Sequence, residues 1–332
     1  MLSFPKLILP DISMNHEYFD NLHHFLLQAV NDGDLEKVRH LLSLGADPEH
    51  GGSEALAIAA EHGHLECLKL LIPISDPKAD NSRALRFAAA MGQVECIRIL
   101  IPASTPKAEL SSALFAAAAN GHAESLALLI PVSDPKADNS RALRRASDEG
   151  HAECVKLLIP VSDPKAAHSE ALRRAAEQDH AECVNLLIPV CEPTANDSVA
   201  LRRAAARGNV ECVKLLIPVS DPTALKSTAL CLAIEHVSLE CVKLLAPVSG
   251  ALIDLDGIFE SALCRGNVEI VELLIELEPR LLSERSLPDC RSDARLRGYS
   301  SLAELLSSWG EKRAIAASLA PALPSIASRL RI

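Results

Sequence analysis

The chain has 332 residues, a formal net charge of −11 and a pI of about 5.6, so it has no non-specific attraction for nucleic acid or anionic membranes. Hydrophobic residues make up 48% and aromatics only 3%, so the core must be built from Leu, Ile, Val and Ala in thin, closely stacked helices rather than a deep globular centre. No run of 18 or more apolar residues occurs, and no membrane span is expected.

Residues 1–20 carry a short apolar stretch broken by Pro5 and Pro10, with no basic start. They read as a loose leader and not as a secretory signal. A repeat then begins. Cys67, Cys96, Cys154, Cys183, Cys212 and Cys241 lie on one grid of 29, with Ser125 at the missing step. One further step each way reaches Val38 in "LEKVRHLL" and Ile270 in "VEIVELLI". This predicts nine units from about residue 21 to 278.

The unit from Asp138 to His168 shows the expected local structure. Asp138 and Asn139 are turn formers, and Ser140 is a candidate N-cap. A short helix runs from Arg141 and ends at Gly150, which can adopt a left-handed conformation. A second helix starts at Ala152, with Glu153 in its first turn, and stops at Pro160. Neither helix is stable alone. Stacking on neighbouring units buries their apolar sides, which is why such units come in arrays.

Several residue sets invite chemistry. The gridded cysteines sit midway along the second helix. At helix spacings of about 8–10 Å adjacent ones cannot form disulfides, so they read as buried free thiols. That implies a reducing compartment, hence the cytoplasm. His64, His122, His151 and His180 each follow the turn, at least a unit apart. They are too far apart to share a metal and are expected to brace neighbouring turns. No metal or cofactor is implied, and no phosphate-binding glycine loop or Gly-x-Ser-x-Gly occurs, so no enzyme is expected. Arg144, Arg173 and Arg202, with Arg86 as an earlier step, form a ladder in the first helices. They either hold an acidic peptide or polyanion, or pair with the loop acids Asp134, Asp163 and Asp221 or with acids one turn along.

The two positions before each turn vary while the scaffold repeats. The varied residues include Glu61, His62, Met91, Asn120, Asp148, Glu149, Glu177, Gln178, Arg207 and His236. Such variation marks either a binding surface or a tolerant solvent face.

"SEALAIAAEHGHLECLKLLI" from Ser53, "SSALFAAAANGHAESLALLI" from Ser111 and "LLSLGADP" from Leu41 resemble ankyrin repeats. The resemblance implies an all-α ankyrin-like helical solenoid of about nine helix-turn-helix repeats. It also implies a concave face lined by the varied positions and a partner protein as ligand, with duplex nucleic acid disfavoured. Many arrays of this kind occur in bacterial or viral effectors, for which the compartment is the host cytosol. The period is about four residues shorter than that family's, so its projecting β-hairpin finger is replaced by a tighter turn. Asp179 stands where the turn glycine belongs, which Asp tolerates. Val237 stands there in the eighth unit, and a β-branched residue at that position predicts a local irregularity.

Residues 279–332 leave the grid and carry net charge +4, against −15 for the rest. They predict one or two amphipathic helices around Trp309, serving as a C-terminal helical cap or as a docking segment.

Overall fold

A computed structural model describes residues 16–249, 255–277 and 286–319. Most of the leader expected over 1–20 lies outside them. The described residues hold helices in pairs and no strand. The pairs are α1 (His16–Asn31) and α2 (Leu35–Ser43), α3 (His50–Glu61) and α4 (Leu65–Leu71), α5 (Ala79–Ala90) and α6 (Val94–Leu100), α7 (Ala108–Ala119) and α8 (Ala123–Leu129), and α9 (Ala137–Asp148) and α10 (Ala152–Leu158). Next come α11 (Ala166–Glu177) and α12 (Ala181–Leu187), α13 (Ala195–Arg207) and α14 (Val210–Leu216), α15 (Ala224–Glu235) and α16 (Leu239–Leu245), and α17 (Leu255–Arg265) and α18 (Val268–Leu277). A last pair is α19 (Ser286–Leu296) and α20 (Ser300–Leu319).

The chain divides into two compact units, Met1–Ala175 with Pro189–Cys191, and Ala176–Ile188 with Glu192–Ile332. In the first, the leading helices α1, α3, α5, α7 and α9 pack in succession, as do the trailing helices α2, α4, α6, α8 and α10. The second repeats the scheme with α13, α15, α17 and α19, and with α12, α14, α16, α18 and α20. This is the helical solenoid that the periodicity predicts.

Each repeat buries the same set of small side chains. In the fifth these are Ala142, Leu143 and Ala146 on the leading helix and Cys154, Val155 and Leu158 on the trailing one, all at most 4% exposed. The gridded cysteines are buried thiols. Burial, with the nearby Glu153 charge, pushes the Cys154 thiol up to about 11. Burial, then Asp179, pushes Cys212 up to about 12. These thiols therefore serve as small hydrophobes and not as nucleophiles.

Ser125 fills the cysteine site in the fourth repeat. It is buried, and its hydroxyl has no hydrogen-bond partner. An unpaired buried hydroxyl costs about 1–3 kcal/mol. Ser125→Cys should therefore raise stability by about 1–2 kcal/mol in chemical denaturation. A loss of stability would mean that the hydroxyl is satisfied in solution.

The turn between repeats corrects the N-cap reading of Ser140. Asp138, Asn139 and Ser140 take φ of 48°, 53° and 57°, three left-handed residues in a row, and the right-handed helix starts after them. Such residues cost about 1–2 kcal/mol each unless they are Gly, with Asn and Asp least penalised. The turn recurs at Asp80–Ser82, at Asn196–Ser198 and, with poorer residues, at Leu225–Ser227. What holds it is the serine. It is buried, and its Oγ accepts the backbone N–H of the next loop, from Ser53 to Asp76 (2.9 Å), Ser82 to Thr105, Ser111 to Asp134, Ser140 to Asp163 and Ser198 to Asp221 (each 2.8 Å). These serines lie on their own grid of 29. The turn stands where a hairpin finger was expected to be lost.

A second set, at Ser75, Ser104, Ser162 and Ser220, donates to the proline carbonyl 27 residues earlier in contacts of 3.3–3.5 Å. Cys191, off the cysteine grid, takes this place in its own repeat and donates its thiol to the Pro164 carbonyl at 3.2 Å.

Asp179 adopts φ 65° as expected. Val237 does not produce the expected irregularity. It takes φ 62°, and Val237 N and Ser238 N donate to the carbonyls of Ile234 and Ala233, as Gly208 N and Asn209 N do to Ala205 and Ala204. The packed helices on both sides over-determine the turn, so the strain is held. Val237 is half exposed, and its side chain contributes little burial. Val237→Gly removes about 1–2 kcal/mol of strain and adds less chain entropy, so a net gain of about 1 kcal/mol in thermal or chemical unfolding is expected. A net loss would contradict that assignment.

The C-terminal segment follows the same geometry. Gly298 has φ 79°, and Tyr299 N donates to the Ala294 carbonyl at 2.8 Å, as His64 N does to Ala59 at 2.9 Å. Leu302, fully buried, corresponds to the gridded position, 32 residues after Ile270 and not 29. The segment leaves the grid through its longer spacing, while its turn is that of the other repeats.

Candidate partner-binding surface

All the varied positions fall at the C-terminal ends of leading helices. Glu61 ends α3, with His62 next, Met91 follows α5, Asn120 follows α7, and Asp148 and Glu149 close α9. In the second unit Glu177 and Gln178 are at the end of α11, Arg207 ends α13 and His236 follows α15. His62, Met91, Asn120, Glu149, Gln178, Arg207 and His236 are exposed.

The residues after the turn fix these ends. The Nε2 atoms of His64, His122 and His151 lie 3.0, 2.9 and 3.1 Å from the carbonyls of Asn31, Ala90 and Ala119 in the preceding repeat. A carbonyl only accepts, so each Nε2 carries the proton. Gln93 does the same to Glu61, and Asn209 to Ala176 and Glu177. His64, His122 and His151 therefore brace neighbouring turns.

The arginine ladder is committed within the fold, but not to the loop acids. Asp134, Asp163 and Asp221 instead accept the backbone amides of Lys136, Lys165 and Thr223, closing the loop. Arg144 Nη2 donates to the Asp138 carbonyl at 2.9 Å, and Arg202 Nη2 to the Asn196 carbonyl at 2.9 Å. Both are six residues back, at the first left-handed residue. The arginine thus closes the turn that the serine anchors.

Arg144 also bonds Glu170, which Arg173 meets at 3.1 Å and Arg174 at 2.7 Å. Burial acts to raise the Glu170 pKa, but the Arg144 and Arg174 hydrogen bonds and charges outweigh it and hold the carboxyl below its usual value. Asp148 is engaged too, at 3.1 Å from both Arg145 and Arg174, and Glu177 lies 3.6 Å from Arg207. Their side chains are only 11% and 17% exposed, so these two carboxylates work mainly inside the scaffold.

In the first unit part of this surface closes into two clefts. One, of about 570 Å³, lies between α7, α9 and α11 and brings together Asn120, Arg144, Asp148 and Glu149. The other, of about 590 Å³, lies between α5, α7 and α9 and is lined largely by Phe87, Ala90, Phe115 and Ala116. Phe115 and Arg141 belong to both, and the Arg141 guanidinium stacks 4.0 Å over the Phe115 ring. Glu61, His62 and Met91 line neither cleft.

Phe115 and Arg141 were not legible from the varied positions, although a signal existed. Phe115 fills the missing step of the arginine ladder, midway between Arg86 and Arg144, in a chain with six phenylalanines.

Among the described residues no helix is long and apolar enough to cross a membrane. Comparison with curated proteins gives no match. A family model described as ankyrin repeats (3 copies) matches residues 26–110, 172–257 and 201–285, which together exceed half the chain. With paired helices, bracing histidines and left-handed turn residues recurring in register, the chain belongs to the ankyrin repeat family, whose repeats are generally protein–protein interaction modules and typically non-catalytic.

Proposed function

We propose that the chain is a non-catalytic interaction scaffold that binds a partner protein through the ends of its leading helices. The observation that carries this reading is the coincidence of sequence variation with shape. The positions that vary between otherwise similar repeats cluster at those ends, and three of them line a cleft. Residues engaged in bracing and turn closure recur, whereas Met91, Asn120 and Glu149 do not. The C-terminal pair α19–α20 is read as a cap. The buried thiols suit a reducing compartment, the cytoplasm or, for an effector, a host cytosol.

The test is affinity capture from soluble lysate with the intact chain and with a variant altered at Glu61, Met91, Glu149, Gln178 and Arg207, both shown to be folded by circular dichroism. A protein retained by the first and lost by the second is expected. Equal retention by both would remove the binding role from this surface.

A further inference from the structure

We propose that the two adjoining clefts of the first unit bind a short extended peptide that combines an apolar anchor with an acidic residue. The apolar side chain sits beside Phe87 and Phe115, and the carboxylate meets Arg141. This rests on the binding role assigned above and names the chemistry of the partner.

The clefts differ in character. The one between α5, α7 and α9 is walled by Phe87, Phe115, Ala90 and Ala116, together with Ser112, Arg141 and the Arg86–Glu109 pair, and has room for a large apolar side chain. The one between α7, α9 and α11 holds four arginines, at 141, 144, 145 and 174, against the carboxylates of Asp148 and Glu149. Glu170 and Asp138 lie against the same arginines, so the charges balance, and what distinguishes these guanidinium groups is how firmly each is held.

The four arginines are not equally committed. Arg144 and Arg174 bond Glu170, Arg174 also meets Asp148, and Arg145 pairs with both Asp148 and Glu149. Arg141 is half exposed, is held over the Phe115 ring, and has its nearest carboxylate, Asp138, at 3.8 Å. A guanidinium fixed by a ring loses little freedom on binding and matches a carboxylate by two parallel hydrogen bonds. Arg141 also stands where the clefts meet, so one peptide can use both.

The spacing follows from the repeat. Neighbouring helices lie about 8–10 Å apart, and an extended chain advances about 3.3 Å per residue. The acidic residue is therefore two to four residues from the apolar one.

The test begins with selection from a random dodecapeptide library displayed on phage, against the full chain. Enrichment of a large apolar residue with Asp or Glu two to four positions away is expected. One selected peptide is then synthesised and titrated by fluorescence anisotropy. Phe115→Ala and Arg141→Glu should each weaken it at least about tenfold, roughly 1.4 kcal/mol. Arg39→Glu, an equal charge change at an exposed residue of α2, should alter it less than about twofold. Replacing the peptide's acid by its amide should weaken binding to the native chain and regain part of the Arg141→Glu loss, because the variant's carboxylate then meets no like charge. Thermal unfolding checks each variant, and if Phe115→Ala is unstable, Phe115→Leu and the half-exposed Arg141 decide.

Peptides with no acid, or binding by the Arg141 and Phe115 variants that is undiminished from that of the native chain, would overturn the inference. If such peptides still lost binding on substitution of Met91 or Glu149, the proposed binding role would survive it. Absence of enrichment over an unrelated bait would also overturn the inference. Peptides indifferent to every leading-helix substitution would overturn both.

Discussion

Gly92→Ala is expected to destabilise the protein by about 1.5–3.5 kcal/mol. Two costs combine. Gly92 has φ 71°, where a Cβ adds about 1–2 kcal/mol of strain. That Cβ would also lie 2.6 Å from His122 Nδ1 and 2.9 Å from its Cγ, too close for the ring to stay. Moving the ring breaks the 2.9 Å bond from His122 Nε2 to the Ala90 carbonyl, a further 0.5–1.5 kcal/mol or about that. Gly298 is the control. It has φ 79° with nothing within 4 Å of its Cβ position, so Gly298→Ala should show the strain alone. Urea denaturation of both variants, and of Gly92→Ala combined with His122→Ala, separates the costs. Equal losses at Gly92 and Gly298 would mean that the histidine brace carries no stability.

Ser140→Ala is expected to cost about 1–3 kcal/mol, far more than an ordinary serine truncation. The buried Ser140 hydroxyl accepts the Asp163 amide at 2.8 Å, and removing it orphans an N–H at the junction of two repeats. Ser147→Ala is the contrast. That hydroxyl is also buried but donates within its own helix to the Leu143 carbonyl, which keeps its helical bond when the side chain goes. Its loss should be under about 1 kcal/mol. If the two truncations cost the same in equilibrium denaturation, the serine is not what holds the left-handed turn.

The repeat and its helices were legible because buried positions recur with the helical period, and a 29-residue grid leaves few alternatives. Gly150, Pro160 and Asp179 were readable because their backbone preferences are local. The left-handed turn was not. Ser140 before a helical segment satisfies every local rule for an N-cap, and its actual partner, the Asp163 amide, lies 23 residues away. Only the serine grid, read as a second repeat beside the cysteine one, could have shown it. Val237 misled for a related reason. Its intrinsic preference predicts disruption, but packing by α15 and α16 overrides one residue's strain.

At the candidate site the variable positions could be read directly, since variation against a repeating scaffold is visible in one sequence. Their inequality was not. Asp148 and Glu177 look like their exposed neighbours, yet arginines from other turns of the fold engage them. The clefts depend on Phe115 and Arg141 meeting across α7 and α9, a contact that no helical period encodes.

The role of the leading-helix ends is tested most directly by hydrogen–deuterium exchange of the full chain, alone and with its captured partner. Slowed exchange is expected in the peptides containing Met91, Phe115–Asn120 and Arg141–Glu149. The trailing helices Val94–Leu100, Ala123–Leu129 and Ala152–Leu158 should stay unchanged. Protection confined to the trailing helices, or to α20 around Trp309, would contradict the binding surface assigned to this chain.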